Sequence, residues 1–257
     1  MTPPLDFYID CLVSLCAWKF IKKTRTTIRQ YRISQTEIYI ARRFSMDACI
    51  IYENSILRVY DDYITDFKPK DWVIDIGAHI GTFSIHLARR FPKLRTVSVE
   101  PHPINYELLT SNVGLNGLHS TIQTLHAAVG KASGHGRLYA DLGNTAGGSV
   151  HNASVKTESY KIKLTTLAHL FTKYGIKKCA VLKLDCEGAG YEILMSTPSS
   201  ILRQIQTIIM EINEENRAPE LIKYLTTQGF SVKEVPNAIT HPILGRFFTD
   251  HLCIATR

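Results

Sequence analysis

The sequence of 257 residues predicts an α/β fold: a seven-stranded, mostly parallel sheet that ends in an antiparallel hairpin, with a helical extension at its N-terminus. Three observations carry this. From Trp72 onward, strand-length apolar runs alternate with segments of helical period, the pattern of a parallel sheet covered by helices. Val73-Ile74-Asp75-Ile76 leads through a turn bounded by Gly77 and Gly81 into the helical spacing Phe83, Leu87, Phe91, a strand–turn–helix unit of the kind that builds nucleotide pockets. The last two strand-like runs, GFSVKEV and DHLCIAT, have no clear helix between them, so they should pair in opposite directions.

Taken in order, the elements begin with an amphipathic helix. Asp6, Asp10, Ser14, Lys22, Arg25, Arg29 and Arg32 fall mostly on one side of it and leave an apolar face from Leu5 to Ile28. Lys19, Lys22, Lys23, Arg25, Arg29 and Arg32 stand against only Asp6 and Asp10, so residues 1–32 hold more than half of the net charge of +7. Two uses fit: contact with an anionic membrane surface or a basic rim for an acidic substrate, or packing on the chain's own domain or on a second copy in a homodimer. The apolar core around Cys11 to Trp18 is far short of the ~20 residues that cross a bilayer, and acidic residues precede it where a signal peptide would be basic. Residues 1–45 are therefore assigned to a helical extension and 46–257 to the α/β domain. Ala48–Tyr52 and Ile56–Tyr60 read as a hairpin around Glu53-Asn54-Ser55. Sheet strands are expected at 72–76, 96–100, 121–126, 180–184, 206–211, 229–235 and 250–256. Helices are expected at 81–90, 103–115, 165–173, 189–195, 198–203 and 216–227. The stretch 140–160 reads as a long irregular loop, a form often used as a lid or substrate loop.

Composition narrows the class. A hydrophobic content of 45% is ample for a core and excludes a disordered chain. The six cysteines include no CxxC pair, which suits free thiols in a reducing, cytoplasmic compartment better than a disulfide framework. The ten histidines form no HExxH or HxxxH pattern, so no metal site is assigned.

The glycine turn selects among ligands. A dinucleotide site uses GxGxxG, whose second glycine lets the backbone approach a diphosphate. His79 stands at that position and would crowd one. The remaining Gly77-x-x-x-Gly81, with Ala78 between, is a tight turn at a helix N-terminus and suits a small carboxylate. S-adenosylmethionine carries a carboxylate and an ammonium, the latter matched in charge by Asp75. Glu100 ends the second strand of the sheet, where a carboxylate can accept both ribose hydroxyls. His126 and Ala127 end the third, near the expected adenine.

Four segments, VIDIGAHIGTFSIHLA, VSVEPHPINYELLTSNVGLNGL, HAAVGKASG and LKLDCEGAGYEIL, occur in an order that resembles the FkbM-type family of S-adenosylmethionine-dependent methyltransferases, from about Trp72 to Asn213. The resemblance implies a Rossmann-like class I methyltransferase fold, S-adenosylmethionine as donor, and O-methylation of sugars, glycolipids or secondary metabolites. The reversed terminal hairpin agrees with this architecture. The family commonly writes the fourth segment DxEGxE, whereas here Gly190 replaces the second acid.

In this fold the strand Val181–Leu184 lies beside the first, so Asp185 and Glu187 emerge at the carboxyl edge, where ligands of open α/β sheets bind. Either can act as general base toward an acceptor hydroxyl. Asp185 also borders the donor, and His79 is a third candidate base. Glu211, at the end of the fifth strand in IIMEIN, fits either the acceptor pocket or a strand-terminal salt bridge. No [DN]PP[YFW] motif follows the strand, and Cys186 sits between two acids that would raise its pKa, so amino-group and cytosine C5 methylation are disfavoured. The partners expected are a small-molecule or glycan acceptor, with peripheral contact of residues 1–32 with the inner face of an anionic membrane held open. An RNA methyltransferase, prompted by the positive charge, and a non-catalytic cofactor-binding scaffold are the alternatives.

Overall fold

The computed structural model describes residues 3–17, 27–64, 67–68, 70–141, 148–149, 157–186, 188–212, 217–236, 240–241, 245–246 and 251–257. Helix α1 spans Leu5–Ala17 and is followed by a hairpin of β1 (Ile28–Arg32) and β2 (Ile38–Arg42). The single long helix expected to reach Ile28 is therefore broken up, with residues 28–32 in a strand; Lys19, Lys22, Lys23 and Arg25 lie outside the described residues. Helix α2 (Met46–Ile51) runs into a one-turn π-helix, Tyr52–Leu57, and a 3₁₀ turn, Asp61–Tyr63. This corrects the hairpin read at 48–60. A short apolar run does not distinguish helix from strand by period, and the helix is started by Ser45, whose Oγ accepts from the Asp47 N–H.

The αβ alternation follows: β3 (Trp72–Ile76), α3 (Thr82–Arg90), β4 (Arg95–Glu100), α4 (Pro103–Leu115), β5 (Ile122–His126) and β6 (Ala128–Val129). Strands β7 (Gly134–Asp141), β8 (Gly148–Ser149) and β9 (Thr157–Thr165) come next, then α5 (Leu167–Tyr174) and β10 (Cys179–Leu184). The chain closes with α6 (Gly190–Ser196), α7 (Ser199–Leu202), β11 (Ile205–Ile212), α8 (Ala218–Thr227), β12 (Ser231–Pro236), β13 (Thr240–His241), β14 (Gly245–Arg246) and β15 (His251–Thr256).

The main sheet has seven strands in the order β12-β15-β11-β10-β3-β4-β5. All neighbours are parallel except at β15, which is antiparallel to both β11 and β12. The reversed terminal hairpin and the β10–β3 pairing are thus as expected. Strands β3 and β10 are buried along their whole length, which explains why they are apolar apart from Asp75 and Lys183, which face each other across the pair. A second sheet, β6-β9-β7-β8, takes in both flanks of the stretch expected to be an irregular loop at 140–160.

The N-terminal elements do not stand apart. Phe7, Cys11, Tyr31 and Tyr39 are buried in one cluster with Ile80, Ile85, Leu108 and Leu109 of the α3 and α4 layer, so the boundary expected at 45/46 falls inside shared packing. Helix α1 buries Phe7, Asp10, Cys11 and Ser14 against this cluster, and Asp10 accepts two hydrogen bonds from Arg43 Nε and Nη2, each at 3.0 Å. Its inner face packs within the chain. Among the described residues no helix is long and apolar enough to cross a membrane.

Candidate active site

The carboxyl ends of β3, β4 and β10 open into a cavity of about 980 Å³, counted out to its open mouth. Gly77, Ala78 and His79 form its floor, with Glu100 beside them and Lys183 and Asp185 opposite. Ala127, Ala128 and Val129 line one side, Leu138 and Ala140 of β7 another, and Ile50, Glu53 and Asn54 of α2 and the π-helix close it from the N-terminal side.

The turn is held tightly against the neighbouring strands. Gly77 has φ +79°, and a β-carbon there would lie 1.7 Å from the Asp185 carbonyl oxygen, so only glycine lets β10 come this close. Gly81 has φ +91° and would bring a β-carbon within 2.7 Å of Leu109 Cδ1; it caps α3 and packs on α4, outside the cavity lining. The Gly77 and Ala78 N–H groups both donate to Val99 O, at 3.0 and 3.1 Å, and the His79 N–H donates to Glu100 Oε2 at 2.8 Å. The turn amides expected to face a carboxylate are thereby engaged with β4. The donors left for an anion are those at the start of α3, where Thr82 and Phe83 reach the cavity and the first-turn amides have no helical acceptor.

Glu100 ends β4 and lines the cavity. Its carboxylate accepts from His79 N, from His102 N at 2.9 Å and from Asn105 Nδ2 at 3.4 Å. A carboxylate has about four acceptor sites, so capacity remains for ribose hydroxyls. Burial raises its pKa to about 7, against the pull of these donors. His102 and Asn105, which the sequence reading missed, also line the cavity; burial lowers the His102 imidazole to about 4.

Two expectations need correction. Asp75 is fully buried inside the sheet and is absent from the cavity lining. It accepts from Ser84 Oγ at 2.7 Å and lies 3.7 Å from Lys183 Nζ, so it anchors the site from beneath. His126 is exposed; its ring stacks on Tyr106 at 4.7 Å and 12°, with Nε2 3.0 Å from Pro101 O. It stays outside the lining, whereas Ala127 belongs to it.

Asp185 opens into the cavity with its side chain 38% exposed and 2.9 Å from Lys183 Nζ. Burial pushes this carboxyl up, but the Lys183 ammonium and a hydrogen bond from Glu211 more than offset it and hold it below the usual range. Lys183 is 4% exposed and sits over the rings of Tyr60 and Phe83, at 5.7 and 5.6 Å. No sequence motif pointed to it; its apolar neighbours in VLKL were the signal of a buried charge. Glu211 lines a smaller adjoining cavity with Tyr191 and Arg217. Glu187 lies outside the described residues. At Gly190, a β-carbon would stand 2.7 Å from Met210 Sδ, so in this chain Met210 fills the space toward a larger residue. Among the described residues no group of three or more His, Cys, Asp or Glu is arranged to hold a metal ion.

His79 is 8% exposed and has φ 51°. Its Nε2 lies 3.3 Å from Arg42 Nη2 and 3.4 Å from Asp47 Oδ1. Burial lowers its pKa to about 4, so the imidazole is neutral near pH 7. The glycine cradle, the Glu100 carboxylate and the α3 terminus together fit adenosine joined to an amino-acid tail.

The comparisons agree with this geometry. The family model described as "Methyltransferase FkbM domain" matches residues 75–232. The chain is similar to Methyltransferase sdnD of Sordaria araneosa, 22% identical over an alignment of 236 positions that covers 79% of this chain and 85% of that protein. It is also similar to the 31-O-demethyl-FK506 methyltransferase FkbM of Streptomyces tacrolimicus, 21% identical over an alignment of 205 positions that covers 68% of this chain and 78% of that protein. Among solved structures, the precorrin-6y C5,15-methyltransferase of Geobacter metallireducens GS-15 superposes with a TM-score of 0.51 at 10% identity, covering 80% of this chain and 87% of that one; this likeness concerns the fold. The chain belongs to the FkbM methyltransferase family and is an S-adenosylmethionine-dependent methyltransferase of the Rossmann-like class I fold.

Proposed function

We propose that the chain methylates a hydroxyl group of a small saccharide, glycolipid or related metabolite. The observation that carries this reading is Asp185, an ionised carboxylate open to the cavity at the edge where β10 meets the glycine turn. S-adenosylmethionine supplies a methyl group already activated by the sulfonium, so the protein's part is chiefly to align the acceptor. Asp185 accepts a hydrogen bond from the attacking hydroxyl and takes its proton as the O–CH₃ bond forms and the S–CH₃ bond breaks. Its low pKa makes it a weak base toward a free alcohol, but an oxygen gaining a methyl group becomes strongly acidic, and a weak base then suffices.

Asn54 supports a polyhydroxyl acceptor. Its Oδ1 is buried and has no hydrogen-bond partner, and the residue lines the same cavity, so a second hydroxyl can donate there. One relative is named for 31-O-demethyl-FK506, an oxygen acceptor, and this agrees with O-methylation. The test is incubation with methyl-labelled donor and a panel of small hydroxyl compounds, with products separated by mass. The expected result is O-methylated product that falls at least a hundredfold with Asp185→Asn, while S-adenosylhomocysteine still binds. Label appearing in RNA, or on nitrogen only, would overturn the reading.

A further inference from the structure

The expected partner of the donor's ammonium, Asp75, is sealed inside the sheet, which leaves the question of what replaces it. The hydrogen count around His79 supplies an answer. Arg42 Nη2 carries two hydrogens, and two short contacts take both: Asp47 Oδ1 at 2.7 Å and Asn105 Oδ1 at 2.7 Å. The Asn105 carboxamide cannot be turned over, because its Nδ2 faces the acceptor Glu100 Oε1 at 3.4 Å. A guanidinium has no acceptor. No hydrogen from Nη2 is therefore left for His79 Nε2, 3.3 Å away. Nε2 must carry its own proton and direct it to Asp47 Oδ1 at 3.4 Å.

In a neutral imidazole the lone pair then lies on Nδ1. That atom is buried and has no hydrogen-bond partner, in a residue that lines the cavity. A buried acceptor without a donor is costly, and the ligand that enters the cavity can supply the donor. Of the polar groups on S-adenosylmethionine, the carboxylate only accepts, the ribose hydroxyls are met by Glu100, and the adenine amino group belongs farther along, toward Ala127. The ammonium is the donor that remains beside the turn.

We propose that Asp47 and Arg42, which precede the family-matched residues, are positioning residues of the donor site: they hold His79 as the Nε2–H tautomer so that Nδ1 accepts a hydrogen bond from the ammonium of S-adenosylmethionine. The charged and titratable groups around the ring are Asp47 and Arg42 from the N-terminal segment, Glu100 and His102 at the end of β4, and Asp185 after β10. Burial first, and Arg42 in addition, keep the ring neutral, whereas Asp47 and Asp185 oppose them. A neutral ring is what the ammonium requires, since an imidazolium would repel it.

Calorimetry on the full chain tests this with two ligands. S-adenosylhomocysteine carries the ammonium; 5′-methylthioadenosine keeps the nucleoside and the sulfur and lacks the amino-acid end. His79→Phe should weaken S-adenosylhomocysteine about tenfold or more, the effect of one hydrogen bond to a charged group, and leave 5′-methylthioadenosine nearly unchanged. Nitrogen NMR on protein labelled in its histidines should show His79 Nδ1 as the unprotonated nitrogen, shifting when S-adenosylhomocysteine is added. Asp47→Asn should mix the two tautomers and weaken S-adenosylhomocysteine selectively. Equal losses for both ligands in His79→Phe, or a protonated Nδ1 in the unmodified protein, would overturn the proposal. The NMR readout needs no variant, so it stands even where Asp47→Asn fails to fold.

Discussion

Gly77 and Asp185 meet backbone to backbone: a β-carbon on residue 77 would stand 1.7 Å from the Asp185 carbonyl oxygen and 2.7 Å from its carbonyl carbon. The obstacle is main chain, so no rotamer change relieves it. Gly77→Ala must therefore push β3 and β10 apart at the point where they frame the cavity, and it also places a side chain at φ +79°. We expect a loss of more than about 1 kcal/mol of stability together with at least a tenfold loss of S-adenosylhomocysteine affinity. Urea denaturation and calorimetry measure the two. Native-like values in both would show that the strands have room to spare.

Lys183 lies between two acids, 3.7 Å from the buried Asp75 and 2.9 Å from Asp185, which opens into the cavity. Lys183→Met leaves Asp75 buried with Ser84 as its polar partner, and removing one member of a buried pair costs about 3–5 kcal/mol. Adding Asp75→Asn should recover much of that stability by removing the stranded charge. Methyl transfer should stay low in the double variant, because Asp185 still lacks its ammonium. Recovery of activity along with stability would show that Lys183 serves the sheet alone.

Glu100 makes donor binding pH-dependent. Burial places its folded pKa at about 7, above the ordinary 4.5. Between those values the folded chain keeps a proton that the unfolded chain releases, so this group's contribution to stability falls as pH rises from roughly 4.5 to 7. Above pH 7 the loss is complete. Ribose hydroxyls donate best to the ionised form, so donor affinity should rise across the same window while stability falls. Glu100→Gln should flatten both trends. Parallel titrations of unfolding midpoint and S-adenosylhomocysteine affinity from pH 5 to 8 check the opposite slopes; trends of equal sign would contradict the assignment.

Asn112 joins the N-terminal hairpin to the glycine turn. From α4 its Oδ1 accepts from Ile40 N at 2.6 Å, and its Nδ2 donates to Ile40 O at 3.0 Å and to Ile80 O at 2.9 Å. Asn116, one turn on, treats Ile38 in the same way, at 3.1 and 2.6 Å. The two carboxamides extend the edge of β2 as another strand would. Asn112→Ala leaves the part-buried backbone groups of Ile40 and the buried carbonyl of Ile80 without these partners, at about 1–3 kcal/mol for the buried group and less for the others. Hydrogen exchange should speed up in peptides covering 28–54, which include Arg42 and Asp47, and donor affinity should fall with it. Unchanged exchange there would show that apolar packing holds the hairpin without the carboxamides.

Local order in this chain was legible wherever a short run of residues decides it. The strands Val73–Ile76 and Val181–Leu184 are buried on both faces and therefore apolar apart from the paired charges Asp75 and Lys183, and the turn from Gly77 to Gly81 is bounded by glycines that its left-handed backbone favours. Strand β9 had a readable alternation at Tyr160, Ile162 and Leu164 that its polar flanks hid. The run at Ala48–Tyr52 was ambiguous by period, and Ser45 and Asp47 settled it as helix through capping and an ion pair with Arg42.

By itself, then, the sequence determined the αβ alternation, the reversed final strand, the glycine turn after β3 and the acid at the tip of β4. Tertiary structure decided which polar groups reach the ligand. It sealed Asp75 beneath the sheet, turned His126 outward, and brought Arg42 to Asn105 and His79 across long stretches of chain. The physical reason is that helix and strand periods are recorded between near neighbours, whereas a buried charge selects its partner by distance in space, and that distance exists only once the N-terminal hairpin has packed on α4.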